Sequence, residues 1–186
     1  PSQAARGAAE ELSQALSFKG FTVVSGGAKG IDRTAHYASL RTGSTAVAPA
    51  TGMLRFRLRS RSTALPPEDA WCVLGHFRPD AGWKTNQALS RNRVIVALGQ
   101  AVVAFEPRDT GGTWHSSTNA LKLGVPLFVV CGSEASAKKR GLRRLVHSGA
   151  TALDPAYMPD PEAFTALLHE KQRTSSRAQA GLFDSN

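Results

Sequence analysis

The sequence has 186 residues, of which 41% are apolar and 20% are charged, proportions that fit one globular domain and exclude a disordered chain. Its 23 Lys and Arg residues outnumber the 14 Asp and Glu residues, and the resulting net charge of +9 and pI near 10.3 favour a polyanionic partner such as nucleic acid, although a genome of biased composition would give the same surplus. No apolar run approaches the roughly 20 residues that span a bilayer, and Cys72 and Cys131 lack the spacing of a disulfide framework or a metal site, so we expect a reduced, cytoplasmic setting.

Segments with apolar residues at helical spacing alternate with short, unbroken apolar runs that are typical of buried strands. The predicted helices cover residues 3–18, 31–41, 90–99, 114–123, 140–147 and 161–171. The predicted strands cover residues 21–25, 44–48, 101–106, 126–131 and 150–153, and residues 49–90 are irregular apart from one short element at 70–77. This alternation predicts a Rossmann-like α/β domain over residues 1–171, with an open, mostly parallel sheet and helices on both faces.

The two ends of the sequence differ from the domain pattern. Such domains usually begin on a strand, whereas this sequence begins on a helix, so we expect an N-terminal strand to be missing from these residues. Residues 172–186 are polar and rich in small residues, which predicts a flexible C-terminal tail. Within it, Gln179, Leu182 and Phe183 resemble the Q-x-x-L-F peptide by which bacterial replication and repair proteins dock on the sliding clamp.

The stretch "TVVSGGAKGIDRTAH" places a glycine turn between a strand and a helix, at the sheet edge where open α/β domains bind ligands. A helix N-terminus favours phosphate, and Lys29 adds a full positive charge. The turn matches neither G-x-G-x-x-G nor G-x-x-x-x-G-K-[ST], and a tight turn capped by Asp32 is the alternative. The candidate phosphate-binding residues of this first loop are Ser25, Gly26, Gly27, Lys29, Gly30 and Asp32.

Two further segments reach the same edge. In "SRNRVIVALG", Arg91 and Arg93 flank Asn92 at the start of a predicted helix, where arginines oppose the helix dipole but suit phosphate recognition; packing of their stems on the sheet edge is the alternative. In "TGGTWHSSTNALKLG", residues Gly111, Gly112 and Thr113 follow a strand and precede a helix, like the first loop. Together the three segments predict a phosphate-binding cleft.

A basic stretch and two tryptophans are candidates for an extended nucleic-acid path. In "LRFRLRSRS", four arginines occupy alternate positions, which an extended chain would place on one side about 6.6 Å apart; a solvated strand or mobile loop is the alternative. These are Arg55, Arg57, Arg59 and Arg61. Base stacking needs exposed aromatic side chains, for which Trp83 and Trp114 are candidates and packing in the core is the alternative.

Four stretches in order, "VVSGGAKGIDRTAH", "RNRVIVALGQAVVAFEP", "ALKLGVPLFVV" and "LVHSGATAL", resemble the DNA-processing protein A (DprA/Smf) family over residues 4–155. The resemblance implies a Rossmann-like fold, binding of single-stranded DNA, a homodimer, and delivery of the DNA to a RecA-type recombinase in recombination or transformation. It also implies that Lys29 contacts DNA and that Lys84 supplies a second basic contact. No histidine or cysteine spacing indicates a metal, and we expect no cofactor.

The third loop departs from the family, which typically has Ser-Gly-Ser where this chain has Gly-Gly-Thr-Trp. It resembles part of the P-G-G-x-G-T-x-x-E signature of the lysine-decarboxylase-like phosphoribohydrolases, but lacks its second glycine run and its glutamate. Without that carboxylate, N-glycosidic cleavage loses its main electrostatic help. We therefore expect a non-catalytic protein that binds single-stranded DNA. A nucleotide-binding sensor or a phosphoribohydrolase-like enzyme using the same cleft is the alternative.

Overall fold

The computed structural model describes residues 1–57, 68–130, 140–158 and 160–183, and it confirms the predicted alternation of helices and strands. The helices are α1 (Gln3–Phe18), α2 (Ile31–Ser39), α3 (Thr85–Leu98), α4 (Gly111–Lys122), α5 (Arg140–His147) and α6 (Pro161–Phe183). The strands are β1 (Val23–Ser25), β2 (Thr45–Val47), β3 (Trp71–Val73), β4 (Val102–Phe105), β5 (Leu127–Val130) and β6 (Thr151–Leu153). None of the helices in these ranges is both long and apolar enough to cross a membrane.

All strand pairs are parallel, as the apolar runs predict. The strands form two three-stranded sheets, with orders β1-β2-β3 and β4-β5-β6. In the first sheet Val24 lies opposite Ala46, and in the second Val103 lies opposite Phe128. Because every connection returns to start a parallel strand, the carboxyl ends of the strands in each sheet share one edge.

The second sheet is buried on both faces, and β5 shows why its residues are all apolar. Leu127 and Val129 point to one face, where they pack in a core with residues of α3, α4 and α5. Phe128 and Val130 point to the other face, where they pack with α1 and α6. A strand covered on both sides has no polar face to show to water, so its sequence reads as a continuous apolar run.

A cavity of about 1320 Å³ separates the two sheets. Every residue of β1 and of β4 lines it, and helices α1, α3, α4 and α6 contribute apolar side chains to its walls. In the described part of the chain, β1 pairs only with β2 and β4 only with β5. The edges of β1 and β4 therefore face each other across this cavity, which we call the inter-sheet gap.

Three element boundaries differ from those predicted. Helix α3 begins at Thr85 rather than at residue 90, because good helix formers in "NQAL" extend it ahead of its apolar run. Helix α6 continues to Phe183, so the prediction of a flexible tail from residue 172 is wrong for residues 172–183. Its "EKQRTSSRAQA" segment contains no proline and is rich in residues of high helix propensity. Met53–Arg55 forms a 3-10 turn, so the arginine stretch does not begin as an extended strand.

Candidate functional site

The three predicted segments line one end of the inter-sheet gap, at the carboxyl edge of the strands. The first loop contributes residues after β1, helix α3 contributes residues from its middle, and the start of α4 closes the far side. These lining residues are Ser25, Gly26, Asp32, Arg91, Asn92, Gly111, Gly112 and Thr113. The sequence prediction that they share a cleft thus agrees with their positions, and the role of each residue depends on its contacts.

The first loop is closed by its own carboxylate. Asp32 Oδ2 accepts hydrogen bonds from the backbone N–H groups of Gly26 and Ala28, each at 3.2 Å. Gly27 and Gly30 have φ values of 73° and 102°, a region that side chains disfavour, so glycine is required at both positions. Asp32 therefore acts as the predicted capping alternative, and two of the loop's N–H groups serve the loop itself.

Arg91 is a buried pin between α3 and the ends of the first sheet. Only 7% of its surface is exposed, and its Nη1 donates to the carbonyl oxygens of Gly26, at 2.8 Å, and of Ala48. A Cβ at Gly26 would overlap the guanidinium, so this glycine permits the contact. Burial lowers the pKa of Arg91, and the nearby Asp32 carboxylate opposes that shift.

The helix dipole argument for Arg91 is wrong, because Arg91 lies six residues after Thr85, well inside α3. Arg91 and Arg93 also do not converge, since two residues turn a helix by roughly 200°. Arg93 is exposed and lies near His115 of α4, where its charge, after burial, contributes to lowering the pKa of that imidazole. Asn92 connects the two regions: it accepts a bond from Arg91 Nε at 3.2 Å and donates to the Gly112 carbonyl at 3.4 Å.

The third glycine loop is the first turn of α4 rather than a loop before it. Gly111, Gly112 and Thr113 are all exposed, and Thr110 precedes them as the N-cap residue. In residues 110–114 the structure shows neither an acidic side chain nor a side-chain cap. Helix α3 begins in the same way at Lys84, without a side-chain cap in residues 84–88. Two helix N-termini with uncompensated N–H groups therefore open at this end of the gap.

Two lysines occupy the exposed starts of helices at this edge. Lys29 directly precedes Gly30, the N-cap of α2, and Lys84 is itself the N-cap of α3. Both side chains are exposed, so their ammonium groups are available to an anion in solution. Like charges at helix N-termini reduce helix stability, which leaves ligand binding as the better explanation for these positions.

A segment at Gly52–Arg57 lies between the first loop and Trp83. Phe56 packs beside Gly27, with its ring 3.5 Å from where a Cβ would stand. On the other side, the N–H of Gly52 donates to the Ala81 carbonyl at 2.9 Å. Arg55 and Arg57 are exposed, and each donates to backbone carbonyls, of Asp80 for Arg55 and of Leu54 and Phe56 for Arg57.

The predicted straight row of four arginines is therefore wrong for its first half, because Arg55 lies within a 3-10 turn. Arg59 and Arg61 lie outside the described residues.

The two tryptophans have different environments. Trp83 is 63% exposed, and the neighbouring segment adds exposed Met53 and Leu54, which composition alone did not single out. Trp114 is partly buried against the core on the α4 side, and the Arg144 guanidinium lies 5.1 Å from the centre of its ring. The packing alternative thus describes Trp114, whereas Trp83 remains available to a base.

A buried histidine stands behind the first loop, and the sequence analysis did not identify it as special. His36 is 1% exposed, and its Nδ1 lies 2.6 Å from Thr45 Oγ1. Burial lowers the pKa of His36 to about 4, and the charges of Asp32 and Arg91 act on it in opposite directions. His36 is therefore neutral near pH 7 and supports the loop as a packed side chain.

An open α/β domain with helix N-termini and glycine turns gathered at the carboxyl edge of its strands is a Rossmann-like ligand-binding domain. The family model of DNA recombination-mediator protein A matches residues 1–158. The chain belongs to that family, as the "SGGAKGID" and "RNRVI" motifs predict.

Individual relatives agree with this assignment. The protein Smf of Synechocystis sp. is 29% identical over 145 residues, which are 77% of this chain and 36% of that protein. The structure of DNA processing protein A from Streptococcus pneumoniae matches with a TM-score of 0.70 and 27% identity, over 82% of this chain and 54% of that chain.

A further structure, described as showing the single-stranded DNA binding mode of DNA processing protein A from Helicobacter pylori, matches in fold. Its TM-score is 0.71 at 23% identity, over 91% of this chain and 76% of that one. The chain spans less than half the length of the curated relatives it matches.

Proposed function

We propose that this chain binds single-stranded DNA at the carboxyl edge of β1 and β4, without catalysing a reaction on it. The observation that carries the proposal is the opening of the uncapped N-termini of α3 and α4 onto the cavity beside the first loop. Each offers backbone N–H donors and about half a positive charge to a phosphate group.

Exposed cations supply the remaining attraction. Lys29 and Lys84 stand at helix starts on this edge, and Arg93 is exposed on α3. Arg91 has a different part: its buried guanidinium positions the first loop through Gly26 and does not reach out to DNA. Phosphate binding of this kind is independent of sequence and falls steeply with salt concentration.

The surface around Trp83 favours a single strand over a duplex. Unpaired bases expose their faces, and stacking on an aromatic side chain stabilises the complex by about 1–3 kcal/mol per base. Trp83, Met53 and Leu54 are exposed beside Arg55 and Lys84. A duplex keeps its bases stacked inside and would gain nothing from this surface. The single-stranded DNA binding described for the H. pylori relative supports the same choice.

Three partner interactions belong to the proposal as finer steps. A DNA-bound form would pass its strand to a RecA-type recombinase, as the family resemblance implies, and would act as a homodimer. The Gln179, Leu182 and Phe183 motif would dock on a sliding clamp. The backbone of these three residues is helical, so an extended clamp peptide would require the end of α6 to unwind first.

Fluorescence anisotropy of a labelled single strand of about 20 nucleotides, titrated over a salt series with a mononucleotide as competitor, tests the proposal. We expect affinity to fall steeply with salt and to be unchanged by a mononucleotide in large excess. Weak DNA binding together with thermal stabilisation by the mononucleotide would instead support the small-ligand alternative. Release of free base from that nucleotide would establish an enzyme.

A further inference from the structure

The inter-sheet gap runs through the whole thickness of the domain. At the amino edge of the strands it is lined by Gly20 and Gly99, which precede β1 and β4, and at the carboxyl edge by Gly26 and Gly112. Between these ends its walls are apolar, with Leu16 of α1 and Phe164 of α6 among the helical residues and Ile95 of α3 and Trp114 of α4 among the others. A slot of this kind has the shape of a missing strand rather than of a pocket for a compact ligand.

The backbone groups along both edges point into the gap. In β1, the N–H of Val23 donates to Ser44 of the neighbouring chain segment at 3.4 Å. In β4, the N–H of Val102 donates to Pro126 at 2.8 Å. Successive residues of a strand direct their N–H and C=O groups to opposite sides. Val24, Val103 and Phe105 therefore direct theirs across the gap, where an unpaired buried amide costs about 1–3 kcal/mol.

The first residues of the chain lie at the mouth of the gap. The ring of Pro1 stands 3.4 Å from where a Cβ at Gly30 would be, and Gly30 lies beyond the end of β1. The N–H of Ser2 donates to Glu106 Oε2 at 2.9 Å, and Glu106 directly follows β4. Pro1 and Ser2 thus bridge the carboxyl ends of the two facing strands, and α1 starts from there.

We propose that the gap receives one further β-strand, parallel to β1 and β4, from polypeptide that leads into α1 through Pro1. A parallel strand in the gap ends at the carboxyl edge, where Pro1 already stands, and α1 then returns the chain to start β1 as a strand-helix-strand unit. About four residues, at about 3.3 Å each, would match the lengths of β1 and β4. These residues would be apolar on both sides, because helices cover both faces.

The inserted strand joins the two sheets into one of seven strands, in the order β3-β2-β1-new-β4-β5-β6. Chain order then runs outward from the new strand in both directions. The point where strand order reverses is where open α/β sheets bind ligands. The position of the candidate site beside Gly26 and Gly112 follows from this arrangement, whatever its ligand proves to be.

Amide hydrogen exchange tests the proposal independently of DNA binding. The 186-residue chain is compared with a form extended before Pro1 by four β-branched apolar residues and a short glycine-serine connection. A matched control carries an extension of equal length in which glycine and serine replace the apolar residues. We expect the amides of Val24, Val103 and Phe105 to exchange at least about tenfold more slowly in the apolar extension than in either other form.

Two results would overturn the proposal. Equal exchange at these three amides in the apolar and control extensions would show that no strand enters the gap. Slow exchange in the 186-residue chain itself would show that β1 and β4 already pair and that the gap closes in solution. The apolar segment added as a separate peptide decides the source of the strand: equal protection by the separate peptide would contradict a strand joined through Pro1.

Discussion

Replacing Arg91 with methionine is the sharpest test of how the site is built. Methionine keeps much of the apolar stem but leaves the carbonyls of Gly26 and Ala48 without their donor. Hydrogen bonds from a charged donor contribute about 1.5–3 kcal/mol each. Removing a buried charge returns part of that, since burial disfavours the ionised guanidinium, as its lowered pKa shows.

The net loss in the free energy of unfolding is therefore about 3 kcal/mol, equivalent to a fall in Tm of about 6–12 °C for a chain of this length. Urea and thermal denaturation followed by circular dichroism measure it. Arg93→Met is the matched control, because Arg93 is exposed and its loss should change stability by no more than about 0.5 kcal/mol.

Gly26→Ala should destabilise through the same contact, so its effect and that of Arg91→Met should not add. Suppose instead that Arg91→Met is as stable as Arg93→Met but binds single-stranded DNA much more weakly. Arg91 would then be a phosphate ligand, and its assignment as a positioning residue would be refuted.

Three more outcomes follow from other residues of the site. His36 has a folded pKa of about 4 against 6.5 when unfolded, so the unfolded chain binds a proton first; His36 contributes full stability above about pH 6.5 and loses about 3 kcal/mol as pH falls to about 4, a loss that urea denaturation should find missing in His36→Gln. Trp83→Ala should weaken single-strand binding by about 1–3 kcal/mol, Trp83→Phe should retain most of it, and denaturation midpoints should stay unchanged because the side chain is exposed; equal affinities would remove Trp83 from the DNA path. Asp32→Ala should cost about 1–2 kcal/mol of stability by freeing the Gly26 and Ala28 amides, whereas Asp32→Asn should cost less, and a fully stable Asp32→Ala would show that the loop does not depend on this carboxylate.

The fold could be predicted from the sequence because each buried strand carries its own signal. The apolar run around Val129 has no polar face and can be satisfied only between two layers of helices. The start of α3 was missed because residues such as Asn86 and Gln87 on its first turn are polar, and periodicity is visible only where one face is buried.

The site was predicted in its location but less well in its details. Glycine turns such as Gly26–Gly27 identify the ligand edge from local sequence, since only a few residue types permit such turns. The inward turn of Arg91 depends on a contact 65 residues away in the chain, with Gly26, and no local pattern reports it. The exposed surface at Met53 and Leu54 depends likewise on how an irregular segment folds back on residues 78–81.

The most direct test of the central claim compares three charge reversals by anisotropy on a labelled single strand: Lys29→Glu, Lys84→Glu and Arg173→Glu. Lys29 and Lys84 stand at the carboxyl edge of the strands, whereas Arg173 adjoins Gln172, which bonds to Gln100 just before β4 at the opposite edge. All three side chains are exposed and each change alters net charge equally. We predict that the first two variants bind at least about tenfold more weakly and lower the salt slope by about 0.7 for each phosphate that the protein no longer neutralises. Equal weakening by Arg173→Glu would show that DNA responds only to net charge, and the account of a binding site at the carboxyl edge would then be contradicted.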